Sequence, residues 1–148
     1  MKLLYLSKYS SIGPSSRYRI YQYLPHLAEY YIDVDVRPLL KEGYFKIIEI
    51  ENITVKNLFK IFYAAYRYII RFFDVLKAAK YDLVVIEHQA FPYLPFFFDS
   101  IVKILNKNII LEFDDAIYLT HPKKMPKLIK MCKSVIVGNS FLKNYAVN

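Results

Sequence analysis

Glycine and cysteine are scarce in this chain of 148 residues, which has three of the first and one of the second, and tryptophan is absent. With so few glycines the chain carries no complete dinucleotide or P-loop signature, and it holds no repeat, low-complexity tract or linker. The single Cys132 excludes an internal disulfide and a cysteine-based zinc site, which fits a reducing compartment. No run of about 18 uncharged apolar residues occurs, so no transmembrane helix is expected. Met1 to Leu6 is too short for a signal peptide and is followed at once by Lys8. The location these absences imply is cytoplasmic, with a peripheral position at the inner face of the membrane as the variant that the charge invites.

Acid is also in short supply, 13 residues against 21 basic ones, for a formal net charge of +8. A negative partner follows: nucleic acid, anionic lipid or a phosphorylated substrate. What is plentiful is apolar material. At 55% hydrophobic and 18% aromatic, with fifteen tyrosines and eleven phenylalanines, the chain can bury the core of one domain.

Short aliphatic runs alternate with longer segments of helical period, the pattern of a parallel sheet wrapped by helices. Strands are predicted at Lys2 to Leu6, Ile32 to Arg37, Leu83 to Glu87, Ile109 to Phe113 and Ser134 to Val137. Helices are predicted at Ser16 to Tyr30, Val55 to Ala79, Pro95 to Asn106, Lys124 to Met131 and Ser140 to Ala146, with Pro25 kinking the first. The predicted fold is α/β, a Rossmann-like three-layer domain with a mostly parallel sheet spanning residues 1–148.

Ligands of such sheets bind at the carboxyl ends of the strands, so the loops there are the candidate site. Gly13-Pro14-Ser15-Ser16-Arg17-Tyr18-Arg19 follows the first strand and reads as a glycine loop leading into a helix. Ser15 or Ser16 would cap the free amides, and Arg17 and Arg19 would add charge, so the loop suits an anion such as a phosphate; a serine-capped turn with two solvated arginines is the plainer alternative. His88 ends the third strand, placed to donate a hydrogen bond or exchange a proton near neutral pH, and Glu87 before it needs hydrogen bonds if it is buried. Asp114 and Asp115 end the fourth strand. They suit a substrate hydroxyl or a helix amino terminus better than a metal, for which two adjacent carboxylates are an incomplete set. Gly138-Asn139-Ser140 follows the fifth.

In the helix from Val55 to Ala79, Lys56, Lys60, Arg67 and Arg71 share an arc of roughly 60° opposite the aliphatic and aromatic residues. Two readings stand: the apolar face packs on the sheet and the basic stripe is solvated, or the stripe meets anionic headgroups. Phe59, Tyr63, Tyr66 and Ile70 widen the apolar side beyond one sheet-facing stripe, so that side is expected to be only partly covered. Lys123, Lys127 and Lys130 form a weaker stripe near the end of the chain, opposite Cys132, which is read as core. A nucleic-acid partner is not expected, because the aromatics follow the core periodicity and no zinc finger or RNA-recognition motif is present.

The glycine loop with Tyr21-Gln22-Tyr23-Leu24-Pro25, the segment Ile86 to Pro92, Phe113-Asp114-Asp115-Ala116, and Val135 to Ser140 leading to Tyr145 together resemble the amino-terminal domain of a GT-B fold glycosyltransferase of the retaining family 4 group. The resemblance covers most of the chain. It implies the acceptor-side half of an enzyme that moves a sugar from a nucleotide-sugar donor to a hydroxyl of a glycan or a lipid-linked acceptor, with retention and without metal or cofactor. It places the Gly13 loop against the donor phosphates and His88 near the reacting sugar, with Arg17, Arg19, Asp114, Asp115 and Asn139 lining the site. The family's donor-binding domain does not appear before Asn148, so the resemblance implies a partner, either that domain or a split subunit. A noncatalytic membrane-docking or scaffold subunit, and a small-molecule-binding Rossmann-like module, are the alternatives.

Overall fold

The computed structural model describes residues 1–147. Five strands, β1 (Lys2–Leu6), β2 (Asp33–Val36), β3 (Leu83–Glu87), β4 (Ile109–Phe113) and β5 (Ser134–Val137), form one all-parallel sheet in the order β2-β1-β3-β4-β5. The four strand positions after Leu83 are fully buried, as are those after Lys2, which is why both runs read as continuously apolar. Chain direction reverses its march across the sheet between β1 and β3. The carboxyl ends of those two strands therefore flank the crevice where doubly wound folds bind ligands.

Among the described residues the strands are connected by α1 (Pro14–Arg19), α2 (Leu24–Glu29), α3 (Glu42–Ile48), α4 (Ile53–Leu76), α5 (Phe96–Leu105) and α6 (Met125–Met131), and α7 (Ser140–Val147) follows β5. Leu4, Leu6, Ile86, Leu111 and Phe113 pack one sheet face against α5, α6 and the end of α4, while Leu3, Tyr5 and Val85 face α1 and α2 through Ile20 and Leu24. The result is the three-layer α/β arrangement that the alternation predicted.

Two local expectations change. The first helix is not one helix kinked at Pro25: the backbone breaks at Ile20, with φ −129°, passes through a 3-10 turn at Tyr21–Tyr23, and restarts at Leu24. Pro25 sits in the first turn of α2, where its missing N–H is no loss. The sequence also gave no sign of α3, a seven-residue helix containing Gly43. That glycine lets α3 lie close on α4, since a Cβ there would stand 3.0 Å from the Tyr63 ring.

The largest correction concerns α4. Its cationic stripe faces inward: Arg67 is 6% and Arg71 2% exposed, while Lys56 and Lys60 are half-buried. Arg67 donates through Nε to the Leu39 carbonyl and through Nη2 to the Pro38 carbonyl, both at 2.6 Å, and Arg71 Nη2 donates to the Ser7 carbonyl at 2.5 Å. Asp74 is buried one turn further on and lies 3.7 Å from Arg37. The apolar side, with Leu58, Phe62, Ile69 and Phe73 each more than half exposed, looks outward. A solvated basic stripe and a sheet-facing apolar face are both overturned, whereas the incomplete cover of the aromatic side is borne out. The physical reason is that strand-end carbonyls need donors, and the arginines supply them.

Candidate functional site

The crevice is closed at its base by Glu87. Its carboxylate accepts from Ser16 Oγ at 2.8 and 3.0 Å, from Ser15 Oγ at 3.2 Å and from the Lys8 N–H at 3.2 Å. Ser16 in turn accepts from the Tyr9 N–H at 3.0 Å. Glu87 and Ser16 have no exposed surface, and burial raises the Glu87 pKa against the pull of these hydrogen bonds. The expectation that Ser15 or Ser16 serves an anion site for substrate is therefore corrected, and Glu87 has the hydrogen bonds that its burial requires: the three latch the β1 loop onto β3. Neither serine caps a helix, because α1 starts at Pro14 with Gly13 before it and no side-chain cap.

Gly13 is required for contact rather than for a left-handed backbone. Its φ is −72°, but a Cβ would lie 2.3 Å from the Tyr9 Cβ. Arg17 is exposed, its guanidinium 5.2 Å from the Tyr18 ring, so it stands outside the cluster described next.

His88 is the centre of what remains. Its φ of +63° lies in the left-handed region, and the Gln89 N–H donates to the Glu87 carbonyl around it at 2.8 Å, closing a strained three-residue turn. Its own N–H donates to the Glu112 carbonyl at 2.8 Å, which fixes the turn to β4. The side chain is buried, with Nε2 3.4 Å from Asp114 Oδ1 and without a hydrogen-bond partner. Burial, with the nearby Arg19 and Lys8 charges, pushes its pKa down to about 4, opposed by Asp115. The imidazole is neutral at pH 7, so proton exchange near neutrality is replaced by hydrogen bonding as its available chemistry.

Arg19 crosses the mouth of β4, paired with both Glu112 and Asp114. Glu112 was missed by the sequence reading, although an acid inside the run Ile109–Phe113 was a visible signal. It sits on the α1 side of the sheet, where the Tyr5 hydroxyl lies 3.5 Å from it. Asp115 is exposed beside this cluster. His88, Asp114 and Asp115 offer donor atoms within 4.8 Å of one another, a set that can reach a cation, but the Arg19 guanidinium already neutralises Asp114 and opposes one. Asn139 accepts from the Leu142 N–H at 3.0 Å and caps α7, which accounts for it structurally. Its neighbour Gly138 brings the loop against Asp114, where a Cβ would be 3.1 Å from the Asp114 Cβ.

The loop after His88 is held from beneath. Asp99 on α5 accepts from the Ala90 and Phe91 N–H groups at 2.9 and 3.2 Å and pairs with Lys124 at 2.7 Å, and Lys124 donates to the Phe91 and Leu94 carbonyls. A cavity of about 120 Å³ opens above it, lined by Lys8, His88, Gln89, Tyr93 and His121. Cys132 is not part of the site; burial pushes its thiol up to about 12.

The structure thus brings His88, Asp114, Asp115 and Arg19 together at the carboxyl edge of the sheet, gives Ser15, Ser16 and Glu87 to the latch, and leaves Arg17 and Asn139 at the periphery. No family model, curated protein or solved structure matches the chain.

Proposed function

We propose that the chain is the acceptor-side half of a glycosyltransferase that takes a nucleotide sugar as donor. The observation that carries this reading is the neutral His88 imidazole, its Nε2 unpartnered beside Asp114 at the switch point, with Arg19 and Lys8 supplying positive field. A neutral imidazole can hydrogen-bond a sugar hydroxyl without a full charge, and the surrounding cations favour an anionic leaving group. Asp114 fits an acceptor hydroxyl, being half-exposed and fixed by Arg19. The donor's nucleotide would be held by a second domain or subunit, which closes over this edge.

The test is chemical-shift mapping with UDP-glucose. Weak, millimolar binding with shifts confined to the loops at Lys8–Arg19 and His88–Tyr93, lost in His88→Ala, is expected. Shifts elsewhere, or robust sugar transfer by the chain alone, would overturn the reading. Once a donor-binding domain is supplied, His88→Ala is expected to lower kcat about a hundredfold and leave the donor KM within a fewfold, as for an interaction strengthened in the transition state.

A docking or scaffold subunit is the second reading. It is favoured by one observation, the outward apolar face of α4.

A further inference from the structure

We infer that a second cavity, next to His88, binds a sugar bearing an anionic group; this rests on the acceptor-side reading and narrows it to an acidic or phosphorylated acceptor. The cavity has a volume of about 330 Å³, the scale of small-ligand sites, and is the more enclosed hollow on this side of the sheet. Tyr9, Tyr44, Tyr68 and Tyr93 line it with Lys8 and Lys60, and no acidic side chain does. Arg67 also lines it but already serves the Pro38 and Leu39 carbonyls. Neither Lys8 nor Lys60 forms an ion pair among the described residues, so two ammonium groups are left for a ligand. Tyrosine faces suit the apolar faces of a pyranose ring, and their hydroxyls suit its edge.

Placement strengthens the case. Lys8 and Tyr93 belong both to this cavity and to the smaller one at His88, so a sugar here points a hydroxyl toward the imidazole. The segment 88–93, which gives His88 and Gln89 to the smaller cavity and Pro92 and Tyr93 to both, begins and ends on residues in the left-handed region, His88 and Tyr93 with φ of +63° and +64°. Strain of that kind in non-glycine residues gathers at binding sites, where the surrounding structure holds it. The Tyr68 hydroxyl donates to the Pro92 carbonyl and fixes the same segment.

Titration with glucose 6-phosphate, glucuronate, glucose and inorganic phosphate, followed by tyrosine ring shifts, tests this. Both anionic sugars are expected to shift Tyr9 and Tyr44 at least tenfold more tightly than glucose, and more tightly than phosphate. Lys60→Gln is expected to weaken them about tenfold, the scale of one charge-assisted hydrogen bond, and Lys46→Gln, outside the cavity, to change nothing. Equal binding of glucose, equal binding of phosphate, or insensitivity to Lys60→Gln would overturn the inference. If anionic sugars bind here while UDP-glucose leaves His88 unshifted, this cavity stands and the transferase reading falls; the reverse result removes the cavity alone.

The outward face of α4 independently carries a second inference: we propose that it pairs with α4 of a second copy. Leu58, Phe62, Ala65, Ile69, Phe72 and Leu76 recur at alternating intervals of four and three, the seam of a left-handed helix pair, and Phe59, Tyr66 and Phe73 flank it at every seventh residue. A helix lying flat on lipid needs no such winding seam, and it needs cations at the edge of its apolar face, whereas both arginines of α4 point into its own domain. About ten outward residues at roughly 100 Å² each give about 1,000 Å², above the few hundred usual for a monomer's patch and beyond the ~800 Å² per partner of a standard interface. On a chain of net charge +8 the outward seam has no formal charge, so two copies can meet there without opposed cations. Light scattering at micromolar concentration is expected to give twice the chain mass, and Phe62→Lys with Ile69→Lys to give a folded monomer whose melting temperature no longer rises with protein concentration. A monomeric wild type, or a double variant that stays dimeric, would overturn this. A monomer that sediments with anionic vesicles would assign the face to a bilayer instead.

Discussion

Arg71 Nη2 donates to the Ser7 carbonyl at 2.5 Å, so a cation in the carboxyl-terminal half of the longest helix holds the first residue after β1. Burial pushes the Arg71 pKa down to about 10, which leaves it charged at neutral pH. Replacement by methionine removes the buried charge and its hydrogen bond, leaves the Ser7 carbonyl with the Leu39 N–H alone at 3.0 Å, and weakens the field at Asp74. Arg71→Met is expected to lose about 2 kcal/mol in urea unfolding, the value of a hydrogen bond to a charged group. Retention of full stability would mean that the Leu39 N–H satisfies that carbonyl without the guanidinium.

Gly13→Ala places a Cβ 2.3 Å from the Tyr9 Cβ and 2.7 Å from its Cγ. The Tyr9 Cβ is fixed by the backbone and no side-chain rotation moves it away, so the β1 loop must shift. A loss of about 2 kcal/mol is expected, in the range of overpacking. Tyr9→Gly in the same chain removes both atoms, and it should return part of that loss in a double-mutant cycle.

His88 makes stability depend on pH. Its folded pKa of about 4 lies below the ordinary 6.5, so the unfolded chain binds the proton first, and stability falls as pH drops from 6.5 through 4. Glu87 and Asp99 are raised by burial and act in the opposite sense. The informative quantity is therefore the difference between wild type and His88→Asn, which keeps a residue tolerant of positive φ. That difference is expected to shift by about 2 kcal/mol between pH 7 and pH 5. A histidine resonance titrating near 4 would confirm the cause, and one near 6.5 would remove it.

The runs of β1 and β3 were legible because burial on both faces leaves them almost wholly apolar; β4 and the more exposed β5 also lie where the sequence places them, and β2 is shorter by one residue at each end. The edge bearing His88 and Asp114 followed from the all-parallel order. What the sequence left open is which face of an amphipathic helix turns inward. In α4 the periodicity separates Arg67 and Arg71 from Phe62 and Ile69, but the carbonyls of Ser7, Pro38 and Leu39 that draw the arginines in come together only in the fold. The same holds for the glycine loop: Ser15 and Ser16 look like an anion site, and the anion they meet is Glu87, seventy residues away in sequence. The tyrosine cavity was invisible because Tyr9, Tyr44, Tyr68 and Tyr93 come from four separate segments.

Glu87 gives the latch a charge signature. Its carboxylate is buried without an ion pair among the described residues and receives hydroxyl and amide donors alone. In Glu87→Gln the remaining oxygen can accept from the Lys8 N–H, and the serine hydroxyls can turn to accept from the new amide, so stability at neutral pH should stay within about 1 kcal/mol. Glu87→Ala leaves the Lys8 N–H and Ser16 hydroxyl unsatisfied in a buried place and is expected to lose about 3 kcal/mol, with faster hydrogen exchange at Tyr9 and across the β1 loop. The sign with pH follows from the raised pKa. The unfolded chain releases the Glu87 proton first, so wild type loses stability relative to Glu87→Gln as pH rises above the ordinary carboxylate value, and the gap closes below it. A gap that stays constant from pH 4 to pH 7 would show that burial does not raise the Glu87 pKa in the folded chain, and one that moves in favour of wild type as pH rises would show that a cation pairs with the carboxylate and that the latch is an ion pair.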